Sequence, residues 1–281
     1  MPQTAAPSCE LKVRQKLGKF RIERKLGTGG FASVYQAMDT VQGIRVAIKV
    51  PHAQYTTESV LSDFRREIRT TAPLEHDNIL PIKDASIIED RLVVVFPLGD
   101  ETLATRMTRR ISVETAFDIG EQILRAAALA HSHHVIHCDI KPENVILFAG
   151  QRVRLADFGI AKVSQRTIQG GGTGTVGYMA PEQAMGKPSF RSDVFSIGLI
   201  FWRMLSGHWP EWPFEWPPDG YSRIRGRIHP DFIDFLKRAI DLNPKHRFRD
   251  AQQMLALFLK LKTRTLRHAR SRRRPANSPS A

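Results

Sequence analysis

Cysteine is nearly absent from this chain of 281 residues. The two present, Cys9 and Cys138, cannot build a disulfide framework, which points to a reducing compartment and, by default, the cytoplasm. No apolar run reaches the roughly 20 residues that a membrane-spanning helix needs. The longest, Val194 to Leu205, is broken by Ser196, Gly198 and Arg203 and reads as a buried core helix. The opening residues, Met1 to Pro7, lack a basic stretch followed by an apolar one, so no signal peptide is expected. Acidic residues are missing from Ala251 onward, where there are eight Lys or Arg. That segment supplies +8 of the formal net charge of +14, so the remainder is only mildly basic at +6. A block of like charge is usually a solvated, open tail. The sharper reading is a dock for an acidic partner, an anionic lipid or nucleic acid.

What is present divides in two. Strand patterns dominate the first third: Phe20-Arg21-Ile22-Glu23, Ser33-Val34-Tyr35-Gln36 and Arg45-Val46-Ala47-Ile48 alternate, and Leu92 to Phe96 is an apolar run of strand length. One helical stretch interrupts them, from about Thr57 to Thr71. After about Glu101 helical periodicity takes over, at Val113–His131, Ser192–Leu205, Pro230–Ile240 and Asp250–Leu261, with Asp250 as the N-cap of the last. Two short strands lie near Val145–Leu147 and Val153–Leu155. The simplest arrangement is a small strand-rich lobe, a larger helical lobe and a cleft between them. The expected boundaries are a loose extension over 1–16, one catalytic domain over 17–262 that changes lobe near 98/99, and a basic disordered tail over 263–281.

Three motifs carry chemistry. Gly27-Thr28-Gly29-Gly30-Phe31-Ala32-Ser33-Val34 lies between two strands, where glycines let the backbone approach phosphates; alone, it reads equally well as a plain hairpin turn. It lacks the Gly-Lys-Ser/Thr ending of a P-loop. The next strand ends Val46-Ala47-Ile48-Lys49, and a lysine there is commonly a snorkelling surface charge. The decisive segment is His137-Cys138-Asp139-Ile140-Lys141-Pro142-Glu143-Asn144, closely followed by Asp157-Phe158-Gly159. Phosphoryl transfer to a hydroxyl needs a group that orients the hydroxyl and takes its proton, a cation near the γ-phosphate and hard oxygen ligands for Mg²⁺. Asp139, Lys141, Asn144 and Asp157 meet those needs in turn.

In this order and spacing the motifs resemble the eukaryotic-like protein kinases, and more closely the bacterial serine/threonine members, over about Phe20 to Leu261. The resemblance implies an α+β, two-lobed protein kinase fold with ATP and Mg²⁺ (or Mn²⁺) in the cleft. It implies that Leu26, Gly27, Thr28, Gly29, Gly30, Val34 and Ala47 line the nucleotide, and that Lys49 contacts the α/β-phosphates and pairs with Glu67. By the same resemblance Asp139 is the catalytic aspartate, Lys141 sits near the γ-phosphate, Asn144 and Asp157 hold the metal, and Thr175 touches Asp139 and Lys141. Glu182, ending Ala180-Pro181-Glu182, is expected to pair with Arg247, and Asp193 to anchor the catalytic-loop backbone. Val95 is expected to be the gatekeeper beside adenine, with Leu98 as the hinge donor; the alternative register would put Pro97 there, and proline has no N–H. Lys141 marks serine/threonine specificity, and autophosphorylation in the activation segment, at Thr173 among others, follows by resemblance. The rival classes are a pseudokinase scaffold, whose sign would be loss of Lys49, Asp139, Asn144 or Asp157, and a small-molecule kinase, against which the Ala180-Pro181-Glu182 segment argues.

Two features depart from the pattern. Cys138 stands where most members have an arginine that meets a phosphorylated activation segment, so independence from that clamp is expected. His208 to Pro218 holds three of the four tryptophans and several prolines, and reads either as core packing or as an exposed docking patch.

Overall fold

The structure is a computed structural model that describes residues 10–30, 32–52, 62, 65, 68–69, 72–158 and 176–272. It resolves into two compact units, one of residues 1–75, 80–98 and 162–174, the other of 76–79, 99–161 and 175–281. Glu67, Thr173 and Thr175 lie outside the described residues.

The first unit is built on an antiparallel sheet of six strands: β1 (Lys16–Leu17), β2 (Phe20–Thr28), β3 (Ala32–Asp39), β4 (Ile44–Pro51), β5 (Asp84–Ile88) and β6 (Arg91–Pro97), in the order β1-β2-β3-β4-β6-β5. Alternation drives it: successive side chains point to opposite faces, so Ile22, Tyr35, Ala37, Val46, Ile48 and Val50 meet in one apolar cluster with Phe20, Val93 and Val95. The stretch expected to hang loose before residue 17 packs from Leu11 onward. Leu11 is buried, and its N–H donates to the Tyr35 hydroxyl at 3.2 Å.

The second unit begins with β7 (Glu101–Thr102) and a short helix, α1 (Leu103–Arg106). The helix α2 (Val113–Ser132) follows, then β8 (Val145–Phe148) and β9 (Arg152–Leu155), which complete a three-stranded sheet in the order β7-β8-β9. Ser112 caps α2, its Oγ accepting from the Thr115 N–H at 3.0 Å. The remaining helices are α3 (Pro181–Ala184), α4 (Phe190–Ser206), α5 (Tyr221–Arg225), α6 (Pro230–Ala239) and α7 (Ala251–Ser271). As its apolar run predicts, α4 is buried almost all round. Gly120 on α2 marks where α4 comes closest: a Cβ there would stand 2.0 Å from the Phe201 ring. Phe117, Phe201, Phe232, Phe235 and Phe258 close the core in tilted and edge-on pairs.

The N-cap of α7 is Asp250, which accepts from the Gln253 N–H at 2.7 Å, as the sequence predicts. Its far end does not follow the expected boundary. The helix runs to Ser271, nine residues into the stretch expected to be an open tail. Thr265 and Ala269 are buried, Arg264 reaches Asp231 on α6 (2.6 Å) and Arg270 lies 3.7 Å from Glu114 on α2, so packing and ion pairs hold the extra turns. Among the described residues no helix is long and apolar enough to cross a membrane.

Candidate active site

The loop from His137 to Asn144 is shaped from beneath by one buried carboxylate. Asp193 lies in the first turn of α4, only 1% exposed. Its Oδ2 accepts from the His137 N–H (2.8 Å) and its Oδ1 from the Cys138 N–H (2.9 Å). The third partner is His131 Nε2, 2.9 Å from Oδ2. His131 Nδ1 accepts from the Ala251 N–H at 2.9 Å, so the ring proton sits on Nε2 and is donated to Asp193. One carboxylate thus joins α2, α4, the start of α7 and the loop. The sequence motifs single out Asp193 but not His131, whose signal is its place on the buried stripe of α2 with Phe117, Gly120, Leu124 and Ala127.

Anchoring lets the loop hold unusual backbone. Cys138 has a φ of +65° and Asp157 one of +62°. Such conformations cost about 1–3 kcal/mol each and persist where surroundings over-determine them. At Cys138 both backbone groups are spoken for: the N–H by Asp193, the carbonyl by Gln183 Nε2 at 2.6 Å. The Cys138 side chain is buried. His137 lies against Phe158, with ring centroids 4.5 Å apart. Its Nδ1 accepts from the Asp139 N–H (3.2 Å), which leaves Nε2–H to donate to the Ala156 carbonyl (2.9 Å). Burial pushes this imidazole's pKa down, so the ring is neutral.

On this frame the expected residues come together. Lys141 Nζ lies 2.9 Å from Asp139 Oδ2. Asn144 Nδ2 donates to the same Oδ2 (2.9 Å) and to the Asp139 carbonyl (2.8 Å). Among the described residues both contacts fall on Oδ2, so there Oδ1 of this half-exposed carboxylate is the oxygen left to meet an incoming hydroxyl. Because Asn144 spends its N–H donors on Asp139, its Oδ1 remains as a hard oxygen acceptor. The Ala156 N–H donates to the Asn144 carbonyl at 2.8 Å, tying the residue before Asp157 to the loop. An amide oxygen and a carboxylate are the donor set of a Mg²⁺ site completed by phosphates and water. Among the described residues no group of three or more His, Cys, Asp or Glu could hold a metal without such help.

In the first unit Lys49 is 7% exposed on β4, opposite Val34 on β3 and Val94 on β6. Ala47, paired with Gln36 and Phe96, shares its face. Val95 lies opposite Ile48 and joins the apolar cluster, so it points away from the face of Lys49, and Val94 is the β6 neighbour of that lysine. Leu98 follows the end of the strand. In the glycine hairpin Gly27 pairs with Val34 and Thr28 with Ser33, and the Gly29 N–H donates to the Ala32 carbonyl at 2.9 Å. Leu26 is exposed. A Cβ added at Gly27 or Gly30 would meet nothing within 4 Å, and at Gly29 only the Ala32 oxygen at 3.7 Å. Neither φ nor crowding demands glycine at these positions. The open space suits a ligand that lies against bare backbone, as phosphates do.

Glu182 and Arg247 pair as expected, through two bonds of 2.8 and 3.1 Å. Arg247 also donates to the carbonyls of Arg191 (3.0 Å) and Leu242 (3.3 Å), and lies over the Phe195 ring. Glu182 Oε1 accepts from Ser192 Oγ at 2.7 Å. In the Trp/Pro segment Trp209 and Trp216 pack on neighbouring rings, while Trp212 is 67% exposed.

Comparison with known proteins agrees with this geometry. The protein kinase domain family matches residues 20–258. The chain is 35% identical over 236 residues to the probable serine/threonine-protein kinase PknB of Lactococcus lactis, covering 81% of this chain and 36% of that protein. It is 32% identical over 263 residues to the serine/threonine-protein kinase PknA of Mycobacterium tuberculosis, covering 83% and 58%. The chain therefore spans about a third to three fifths of the length of these curated relatives. The crystal structure of the Mycobacterium tuberculosis PknI kinase domain superposes with a TM-score of 0.70 at 23% identity, covering 89% of this chain and 99% of that one, a likeness of fold. With a family match across most of its length and relatives that are bacterial serine/threonine kinases, the chain belongs to the protein kinase domain family.

Proposed function

We propose that this chain is an ATP-dependent protein serine/threonine kinase in which Asp139 is the group that meets the acceptor hydroxyl. The observation that carries the reading is the arrangement of Lys141 and Asn144 on Asp139 Oδ2, which among the described residues leaves Oδ1 for the substrate. Asp139 orients the serine or threonine O–H and takes its proton as the O–P bond to the γ-phosphorus forms and the bond to ADP breaks. Lys141 offsets charge on the transferring group. Asn144 Oδ1 and the Asp157 carboxylate are the proposed holders of Mg²⁺, or Mn²⁺ in its place. When bound, the ion neutralises phosphate charge. Lys49 is proposed to grip the α/β-phosphates and Glu67 to orient Lys49. The backbone of Gly27 to Gly30 is proposed to cover the phosphates, Leu98 to meet adenine, and Thr175 to steady Asp139 and Lys141. Catalysis is then mostly positioning and charge stabilisation.

A cytoplasmic setting suits ATP as donor and a buried thiol at Cys138. Autophosphorylation in the activation segment, at Thr173 among other sites, belongs to the same proposal. So does an acidic protein, anionic lipid or nucleic acid at the basic C-terminal end, supported by its charge alone. Purified protein incubated with labelled ATP and Mg²⁺ should place label on serine or threonine of itself or of a general acceptor protein. Bound ATP without any transfer would remove the proposal.

A further inference from the structure

The turn Val176–Tyr178 comes just before Ala180-Pro181-Glu182, and Trp209 is built onto it. A Cβ added to Gly177 would stand 2.0 Å from Trp209 Cζ2 and 2.6 Å from Cε2, so the indole lies directly on bare glycine backbone. The same ring meets Tyr178 edge-on, with centroids 4.4 Å apart. Arg203 lies over the indole at 4.4 Å and donates through Nη1 to the Tyr178 hydroxyl at 2.8 Å. Ser196 Oγ donates to the Tyr178 carbonyl at 2.7 Å. Burial pushes the Tyr178 pKa up to about 12, so the phenol stays neutral and accepts from Arg203. The turn is thus held by α4 below, through Ser196 and Arg203, and by Trp209 on the glycine. Trp212 and Trp216 pack elsewhere. Trp212 meets Phe214 edge-on, and Trp216 packs on Trp202 and Tyr221.

We infer that Trp209 is a positioning residue for the protein acceptor: it fixes the Val176–Tyr178 turn against which the acceptor chain lies. This rests on the kinase reading above and extends it by taking the segment ending at Glu182 as the surface that meets the acceptor peptide. The glycine at 177 follows from the same contact, since any side chain there would displace the indole. Short hydrogen bonds carry the position onward, because Gln183 Nε2 on the next helix holds the Cys138 carbonyl beside Asp139.

The test compares Trp209→Ala, Trp209→Phe and Trp212→Ala with the wild type. Steady-state transfer to myelin basic protein is measured with ATP and acceptor varied separately, alongside amide hydrogen exchange. Trp209→Ala should raise the acceptor KM about tenfold while the ATP KM stays within about twofold, the pattern of a lost binding contribution confined to one substrate. Exchange should quicken at residues 176–183 and not along α4 as a whole. Trp209→Phe should recover most of the acceptor KM, and Trp212→Ala should match the wild type. The inference is overturned if both KM values rise together with faster exchange throughout α4, or if Trp209→Ala behaves as wild type. A wild-type protein that labels no acceptor defeats the kinase reading instead. Exchange then decides Trp209 alone: loss of protection limited to 176–183 supports its role, and unchanged protection ends it.

Discussion

Asp139→Asn should slow phosphoryl transfer by about a thousandfold, within the range that a positioned proton acceptor contributes. The substitution changes charge and basicity while keeping shape. Asn144 still has the residue-139 carbonyl to donate to, and the Asp193 bonds to His137 and Cys138 are untouched. The loop should therefore keep its path and the protein its melting temperature. What disappears is the carboxylate that pairs with Lys141 and offers Oδ1 to the hydroxyl. Single-turnover transfer from labelled ATP, measured beside thermal melting, separates these effects. A variant within about tenfold of the wild-type rate would mean that Asp139 only helps to orient the acceptor, since removing a group acting on the proton costs more than that.

Asp193→Ala should be the most damaging substitution for stability. It leaves the His137 N–H, the Cys138 N–H and His131 Nε2 without their acceptor, all on buried residues. A buried donor left unsatisfied costs about 1–3 kcal/mol, and part of the loss is recovered by removing the buried charge, so about 4 kcal/mol in total is expected. For a domain of this size that corresponds to roughly 8–16 °C in melting temperature. Transfer should fall with it, because the positive φ at Cys138 loses what holds it. Asp193→Asn keeps one acceptor oxygen and should fall between Asp193→Ala and the wild type. A full-strength fold in Asp193→Ala, read by thermal melting, would show that the three donors find other partners.

The chemistry is legible in the sequence because its residues sit in short windows. Asp139, Lys141 and Asn144 span one loop, so a single window holds all three. The Glu182–Arg247 pair joins residues 65 apart, and the motif order is enough to match them. What escapes depends on partners that no window contains. The end of α7 reads as a charged tail because its acidic partners, Asp231 and Glu114, lie on other helices far upstream. His131 belongs to no motif, and only the helix period places it among buried residues. The Trp/Pro segment divides residue by residue between packed and exposed rings, a distinction that composition does not carry.

The sealed imidazole of His137 also sets how this protein meets acid. Its ring is committed at both nitrogens and its pKa is lowered by burial. In the unfolded chain the same ring takes a proton near pH 6.5. The contribution of the neutral ring to stability is therefore complete above that value and drains away as the pH falls through it toward the lowered folded value. Melting temperatures taken from pH 8 to pH 5 should decline over the lower part of that span, and less so in a His137→Asn variant. A mildly acidic surrounding would then act on the scaffold under Asp139, loosening the loop that carries it.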